Sequence, residues 1–407
     1  MREMTSSNSV DNITWDTVCA NKFCASVTDG THDSPKPQKF GKKLITSKHL
    51  MGDYIDFDSA NWISENDYKK IISRSIVEQW DVLFSMIGTI GNIYIEKNPV
   101  VKYACKNMGI FKFAGNKENA YWMYYYLQSP QAKEYFQSHL RGSTQSYVPL
   151  CSLREMPVTI PDKKTRNGIV SLLRSLDVKI AINREINDNL EQQAQSYFQE
   201  LFVDNADPEW AIGTISDLGT IVGGSTPSKA KPEYYTESGI AWITPKDLSI
   251  NKSKFVSHGE NDITELGLKN SSAAIMPEGT VLFSSRAPIG YIAIAAGEVT
   301  TNQGFKSVVP KPEIGTPFVY FFLKNTLPVI EGMASGSTFK EVSGSTMKNV
   351  PAVIPDAETL AKFSDFCAPI FAQQRILEEQ NQSLATLRDN LLPKLMSGEI
   401  DVSAVQL

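Results

Sequence analysis

Two hydrophobic patterns alternate along the chain. Short runs rich in β-branched and aromatic residues, broken by Gly, Pro, Asn and Ser, fill about residues 12–160 and 207–355. Among them Ile240–Ile243, Gly279–Ser284 and Tyr291–Ala295 predict strands. Tyr121 to His139 and Pro317 to Glu331 predict helices, each interrupted or flanked by Pro. After each strand-rich stretch the spacing changes. Positions 169, 173, 176, 180, 183, 187, 190, 194, 197 and 201 step alternately by 4 and 3, and eight of the ten are apolar. Positions 363, 367, 370, 374, 377, 381, 384, 388, 391 and 395 repeat the spacing with seven of ten apolar. Held over about five heptads, this is a coiled-coil seam. The other reading is an amphipathic helix packed on its own domain.

The pattern repeats because the sequence does. Met156–Asp162 matches Val350–Asp356 at an offset of 194, and Gly142-Ser143-Thr144 matches Gly336-Ser337-Thr338 at the same offset. Asp81–Ser85 with Ile90-Gly91 matches Thr280–Ser284 with Ile289-Gly290 at offset 199, and Leu44–Leu50 matches Trp242–Leu248 at 198. A Trp opens each copy, Trp15 and Trp210. Collinear matches of this kind identify a duplication. They give domains at 12–165 and 207–356, and long helices at 166–205 and 357–400. The expected fold class is α+β: two strand-rich domains, each followed by a long helix, the helices pairing as an antiparallel coiled coil with pseudo-two-fold symmetry. The expected pairing residues are Ile180, Asn187, Leu190 and Leu201 on one helix and Leu377, Asn381, Leu384 and Leu395 on the other. Asn187 and Asn381 occupy the same seam position, which predicts an Asn–Asn bond that fixes register.

Composition narrows the chemistry. No apolar run approaches the roughly 18 residues of a membrane span, and the N-terminus lacks a secretory pattern, so a cytoplasmic protein is expected. Five cysteines without a CxxC pair, and four scattered histidines, predict free buried thiols and no metal site. The net charge of −5 is uneven: residues 1–165 carry 20 Lys+Arg against 17 Asp+Glu, while residues 206–356 carry 12 against 15. Binding to phosphates needs a local basic face rather than a basic total, so charge excludes nothing here. There is no P-loop, no cofactor-binding glycine loop after a strand, and no Asn/Asp-Pro-Pro-aromatic motif; Asn98-Pro99-Val100 lacks the second Pro. Asp162-Lys163-Lys164 lacks the partners a nuclease needs. No catalytic residue is expected. The chain reads as a binder.

The candidate binding residues lie in polar loops at matching places. In the second copy they are Thr226, Ser228, Lys229, Lys231 and Tyr234 after Gly223-Gly224, then Lys246, then Ser285 and Arg286 leaving a strand. Asn302, Gln303 and Lys306 follow, and Ser337 and Thr338 close the set. The first copy offers Lys36, Lys39, Lys42, Lys43 and Lys48, its densest basic stretch, and Ser143, Thr144 and Gln145. Glycine lets backbone approach a ligand; hydroxyls and Lys suit phosphate oxygens. Arg can grip guanine and amides can grip adenine.

These residues carry a family resemblance. The run from Gly223 to Pro310, above all GGSTPSKAKPEYY, IAWITPKDLS, PEGTVLFSSRAPIGYIAIA and TNQGFKSVVP, resembles the target-recognition domain of type I restriction–modification specificity (S) subunits, the HsdS family. Leu391 to Ile400 is similar to that family's C-terminal region, while Asp29 to Pro37 departs from its glycine-rich pattern. The resemblance implies a non-catalytic subunit whose two target-recognition domains each read half of an interrupted double-stranded DNA site, with the helices setting the spacer. It implies two modification subunits that carry S-adenosylmethionine and methylate adenine, and restriction subunits that use ATP and Mg²⁺, so no cofactor is expected on this chain. Two other classes remain open: a duplicated coiled-coil module that binds protein, and an enzyme with an unrecognised site.

Overall fold

The computed structural model describes residues 15–336 and 340–402. The chain divides into two units, Met1–Val178 with Leu384–Leu407, and Lys179–Ser383. The two carry the same plan.

In unit 1, Trp15–Cys19 pairs antiparallel with Pro157–Pro161, closing the start of the domain on its end. A four-stranded sheet runs in the order Ser26–Asp29, Met108–Lys112, Val82–Ser85, Ile93–Ile95. A three-stranded sheet sets Lys42–Ile45 between Asn61–Ile63 and, in parallel, Tyr103–Cys105. Unit 2 repeats the closure with Ala211–Thr214 on Pro351–Ile354. Its Val281–Ser285 again lies between an incoming strand, Ile289–Ala295, and a later one, Lys306–Pro310. Ile240–Ile243 likewise runs parallel to Thr300–Thr301. The duplication thus extends to strand register. The Tyr121–His139 stretch resolves into two helices, Lys117–Tyr126 and Pro130–Ser138, because Pro130 starts a new helix capped by Ser129.

Two long helices follow the domains, Lys163–Gln199 and Ala357–Ser397. The repeated Pro-Asp supplies both caps. Asp162 accepts from the Lys164 and Thr165 amides at 2.9 and 3.1 Å, and Asp356 accepts from the Thr359 amide at 2.8 Å. Asp162 is therefore a helix cap, and the first long helix begins at 163 rather than 166. Amide and hydroxyl donors hold both carboxyls below their ordinary range.

Each unit builds its core from its own domain and from parts of both helices. In unit 1, Ile169 and Leu173 join Leu392 and Leu395 against Trp122, Met123 and Phe136. In unit 2, Ala194 and Phe198 join Leu360, Phe363 and Cys367 against Phe318 and Phe321, with Leu190 and Leu201 packed at the margin. Leu395 and Leu201 therefore serve domain cores rather than a helix–helix seam alone. Within unit 2 the helices run in opposite directions: Asn183 Nδ2 donates to Asn381 Oδ1 at 2.9 Å, while Asn187 Nδ2 donates to the Gln374 carbonyl at 3.3 Å. The expected Asn187–Asn381 bond is replaced by these two. When duplicated helices run antiparallel, equivalent positions recede from each other on either side of the crossing point. Ile180 and Leu377 are buried, whereas Leu384 is half-buried.

Of the cysteines, Cys24, Cys105 and Cys367 are buried free thiols as expected, but Cys151 is exposed. Burial raises the Cys24 and Cys105 thiols far above their ordinary range, and pushes Cys367 up to about 12. No helix among the described residues is long and apolar enough to cross a membrane.

Candidate nucleic-acid interface

In unit 2 four chain segments are tied together by backbone bonds. The Ser225 amide donates to the Thr301 carbonyl at 2.9 Å, the Ser285 amide to Gly304 at 2.7 Å, and the Val342 amide to Ser285 at 3.0 Å. Gly224 makes the first junction possible, since a Cβ there would stand 2.0 Å from the Asn302 carbonyl oxygen. Across it Thr226 donates to Gln303. Trp242 and Tyr235 anchor the same loop through the Ser225 and Pro227 carbonyls at 3.0 and 2.6 Å.

The candidate side chains sort by exposure. Ser228, Lys229, Lys231 and Gln303 are exposed. Tyr234 is buried, its hydroxyl accepting from Lys231 Nζ at 3.1 Å, and so supports that lysine instead of facing a ligand. Ser285 is fully buried, its hydroxyl donating to Gly304 at 3.1 Å, and is likewise a support. Sequence position alone could not reveal that Ser285 still belongs to the strand. Asn302 spends its Oδ1 on the Gly304 amide at 2.8 Å. Lys306 is half-buried over the Phe305 carbonyl at 3.3 Å; burial pulls its ammonium below the ordinary value, against the opposing pull of Glu341. Lys246 pairs with Glu260 at 2.5 Å. Arg286 leaves the strand end and meets Glu341 at 3.3 Å. A cavity of about 610 Å³ opens beside this pair, lined also by Glu331 and Lys340. Ser337 and Thr338 lie outside the described residues.

Unit 1 has the same turn with other side chains. Ser85 donates to the Thr89 carbonyl and accepts from the Asn92 amide, as Ser284 does with Pro288 and Tyr291. Gly88 and Ala287 both take positive φ, 82° and 56°, as do Gly91 and Gly290, at 92° and 95°. The Val148 amide meets Met86 as Val342 meets Ser285. Arg141 and Tyr147 exchange backbone bonds at 2.9 and 2.8 Å as Ser335 and Glu341 do at 3.1 and 2.8 Å. By this correspondence Ile87 stands where Arg286 stands, and Tyr147 where Glu341 stands. Ser143, Thr144 and Gln145 are exposed on the loop between Arg141 and Tyr147.

The rest of the unit 1 basic stretch is partly committed. Lys36, Lys39 and Lys48 are exposed. Lys43 lies over the Trp62 ring at 4.0 Å and donates to the Ala60 carbonyl at 2.8 Å, while Lys42 reaches Glu65 at 3.4 Å. The structure adds a group that the sequence pattern did not single out. Gly30-Thr31 takes the place of Gly224-Ser225: a Cβ on Gly30 would stand 2.4 Å from the Cys105 carbonyl oxygen, and the Thr31 amide donates to that oxygen at 2.9 Å. Next to it, His32 bridges Asn107 at 2.9 Å and Asp29 at 2.8 Å, with Arg74 at 3.4 Å from Asp29. The glycine at offset 194 was the available signal.

Residues 37–192 and 208–387 match the family described as the type I restriction modification DNA specificity domain. The chain belongs to the type I restriction–modification DNA specificity family. A type I restriction enzyme MjaIX specificity subunit from Methanocaldococcus jannaschii is 38% identical over 194 residues, which span 46% of this chain and 45% of that relative, less than half its length. The HindI specificity subunit of Haemophilus influenzae is 24% identical over 81% of this chain and 88% of its own. In fold, the chain is similar to the S subunit of a type I restriction–modification system from M. genitalium, with a TM-score of 0.55 at 15% identity, over 95% of this chain and 96% of that one. Two matched segments place one specificity domain in each repeat.

Proposed function

We propose that this chain is the DNA sequence-specificity subunit of a type I restriction–modification complex, reading a two-part, interrupted double-stranded target. The observation that carries this reading is the repeated loop junction: one backbone scaffold appears twice, yet it presents Arg286 with Glu341 in one copy and Ile87 with Tyr147 in the other. A scaffold kept while its projecting side chains differ suits two readers of unlike half-sites. The exposed Lys36, Lys39, Lys48, Lys229 and Lys231 supply phosphate contacts, and Gln303, Gln145 and Arg286 face bases. The long helices, about 55 Å for 37 residues, set the spacer between the halves by pairing as an antiparallel coiled coil. Two modification subunits with S-adenosylmethionine and restriction subunits using ATP and Mg²⁺ supply the chemistry, and this chain holds none of those groups.

Inserting four residues, about 6 Å of helix, at the same level of both long helices tests the division of labour. The spacer of the target changes while both half-sites stay the same. A change in either half-site with the spacer intact refutes it. The protein-binding alternative is supported instead if the chain with its modification subunit shows no sequence-selective, salt-sensitive binding to any duplex.

A further inference from the structure

We infer that the residue pair at the loop junction is a base-specificity switch: Arg286–Glu341 directs the unit 2 half-site to a G·C pair, and Ile87–Tyr147 makes the same position in unit 1 indifferent to guanine. This rests on the DNA-reading function proposed above. Arg286 lies one residue beyond the buried Ser285, on a strand end pinned by Gly304 and Val342, so its Cα is fixed while its guanidinium projects. The guanidinium meets one carboxylate oxygen at 3.3 Å, and both side chains are 37% exposed. That leaves most of its five donors to a ligand beside an open cavity. Guanine presents O6 and N7 to such a fork in the major groove, and its partner cytosine presents an N4 donor that a carboxylate accepts. Arg286 and Glu341 therefore answer the two members of one base pair. Unpaired, Arg286 would face Lys340 and Lys306 nearby; Glu341 also keeps the cluster from becoming a uniformly phosphate-binding patch.

In unit 1 the equivalent places carry Ile87, half-buried against the core, and Tyr147, 39% exposed. Neither offers a fork to O6 and N7. An apolar surface favours contact with a thymine methyl.

The test transplants the pair. The chain carrying Arg286→Ile and Glu341→Tyr, and a second carrying Arg286→Gln, are assembled with the modification subunit. Binding is measured to duplexes that place each base in turn through both half-sites. Wild type should prefer guanine at one position of the unit 2 half by about 5- to 150-fold. Both variants should lose that preference, with affinity falling most on the guanine duplexes and the other half-site unchanged, because neither Ile nor Gln offers paired donors to O6 and N7. Equal weakening on every duplex, the signature of a phosphate anchor, overturns the inference, and so does an unchanged guanine preference. Either outcome leaves bipartite reading intact, whereas a wild-type complex with no preference anywhere overturns both. Should the double variant melt early, Arg286→Gln decides alone.

Discussion

Replacing Glu191 with Gln removes the central anion of a buried network in unit 2. Lys254, 8% exposed, reaches Glu191 at 2.8 Å and Gln374 at 2.9 Å, and lies 3.4 Å from the Phe371 ring centroid. Lys324 reaches the other carboxylate oxygen at 2.5 Å, and Glu378 accepts from the Lys254 and Phe255 amides at 2.7 and 3.0 Å. Strand Phe255–Val256 of the recognition domain is thereby fastened to both long helices within this unit. Burial alone raises the Glu191 carboxyl, but Lys254 and Lys324 together overcome it and hold the carboxyl at about 2, below an ordinary 4.5. That difference corresponds to roughly 3 kcal/mol, in the range of about 3–5 kcal/mol for breaking a buried pair. Burial meanwhile pulls Lys254 down to about 8, with Glu191 opposing, so at pH 7 the ammonium is charged and depends on its partner. Glu191→Gln should cost about 3 kcal/mol in urea denaturation. Adding Lys254→Met should recover most of the loss, because the stranded charge goes with it. The folded pKa of Glu191 lies below its unfolded value, so its contribution is complete above about 4.5 and is lost as pH falls toward 2. Glu191→Gln should flatten that acid limb. A variant within about 0.5 kcal/mol of wild type, with the same acid limb, would show that Glu191 does not hold this network together.

Three further perturbations address the interface and the helices. Gly224→Ala forces a Cβ to 2.0 Å from the Asn302 carbonyl oxygen and should cost about 1–3 kcal/mol; duplexes altered in one half should show the unit 2 half no longer read and the unit 1 half read normally. Asn381→Leu removes the nearer acceptor of the fully buried Asn183 amide, leaving it only Gln380 Oε1 at 3.4 Å, and should cost about 1–3 kcal/mol by denaturation. The double change Asn183→Leu with Asn381→Leu should recover most of that; losses that simply add would contradict a direct pair. Lys36→Ala, Lys39→Ala and Lys48→Ala should each weaken binding to all duplexes alike and lower the slope of log affinity on log salt by about 1, a change that titration at several salt concentrations reads directly.

Periodicity and repetition made the scaffold legible, and local bonding decided the rest. The long helices were visible because their seam persists through two copies, and the Pro-Asp repeat that ends each domain is also the cap that starts each helix. Direction was harder. An equivalent Asn in each copy suggested that the two would meet, but antiparallel pairing sends Asn187 to Gln374 and gives Asn381 to Asn183. At the loop junction, residue type singled out polar loops that the fold brings together without saying which side chains turn inward: Ser285 and Tyr234 are buried. In unit 1 the Gly30-Thr31 junction was hidden because one glycine replaces two, and the His32, Asn107 and Asp29 group joins residues far apart in sequence.

In the proposed function, two unlike half-sites are read by two copies of one scaffold on a single chain. Mapping methylated adenines across the genome of a host that expresses this chain with its modification subunit reads both halves and the spacer at once. The expected result is one interrupted motif with two different specific halves and a fixed spacer of unspecified bases. A continuous motif, two identical halves, or methylation without any motif would contradict it.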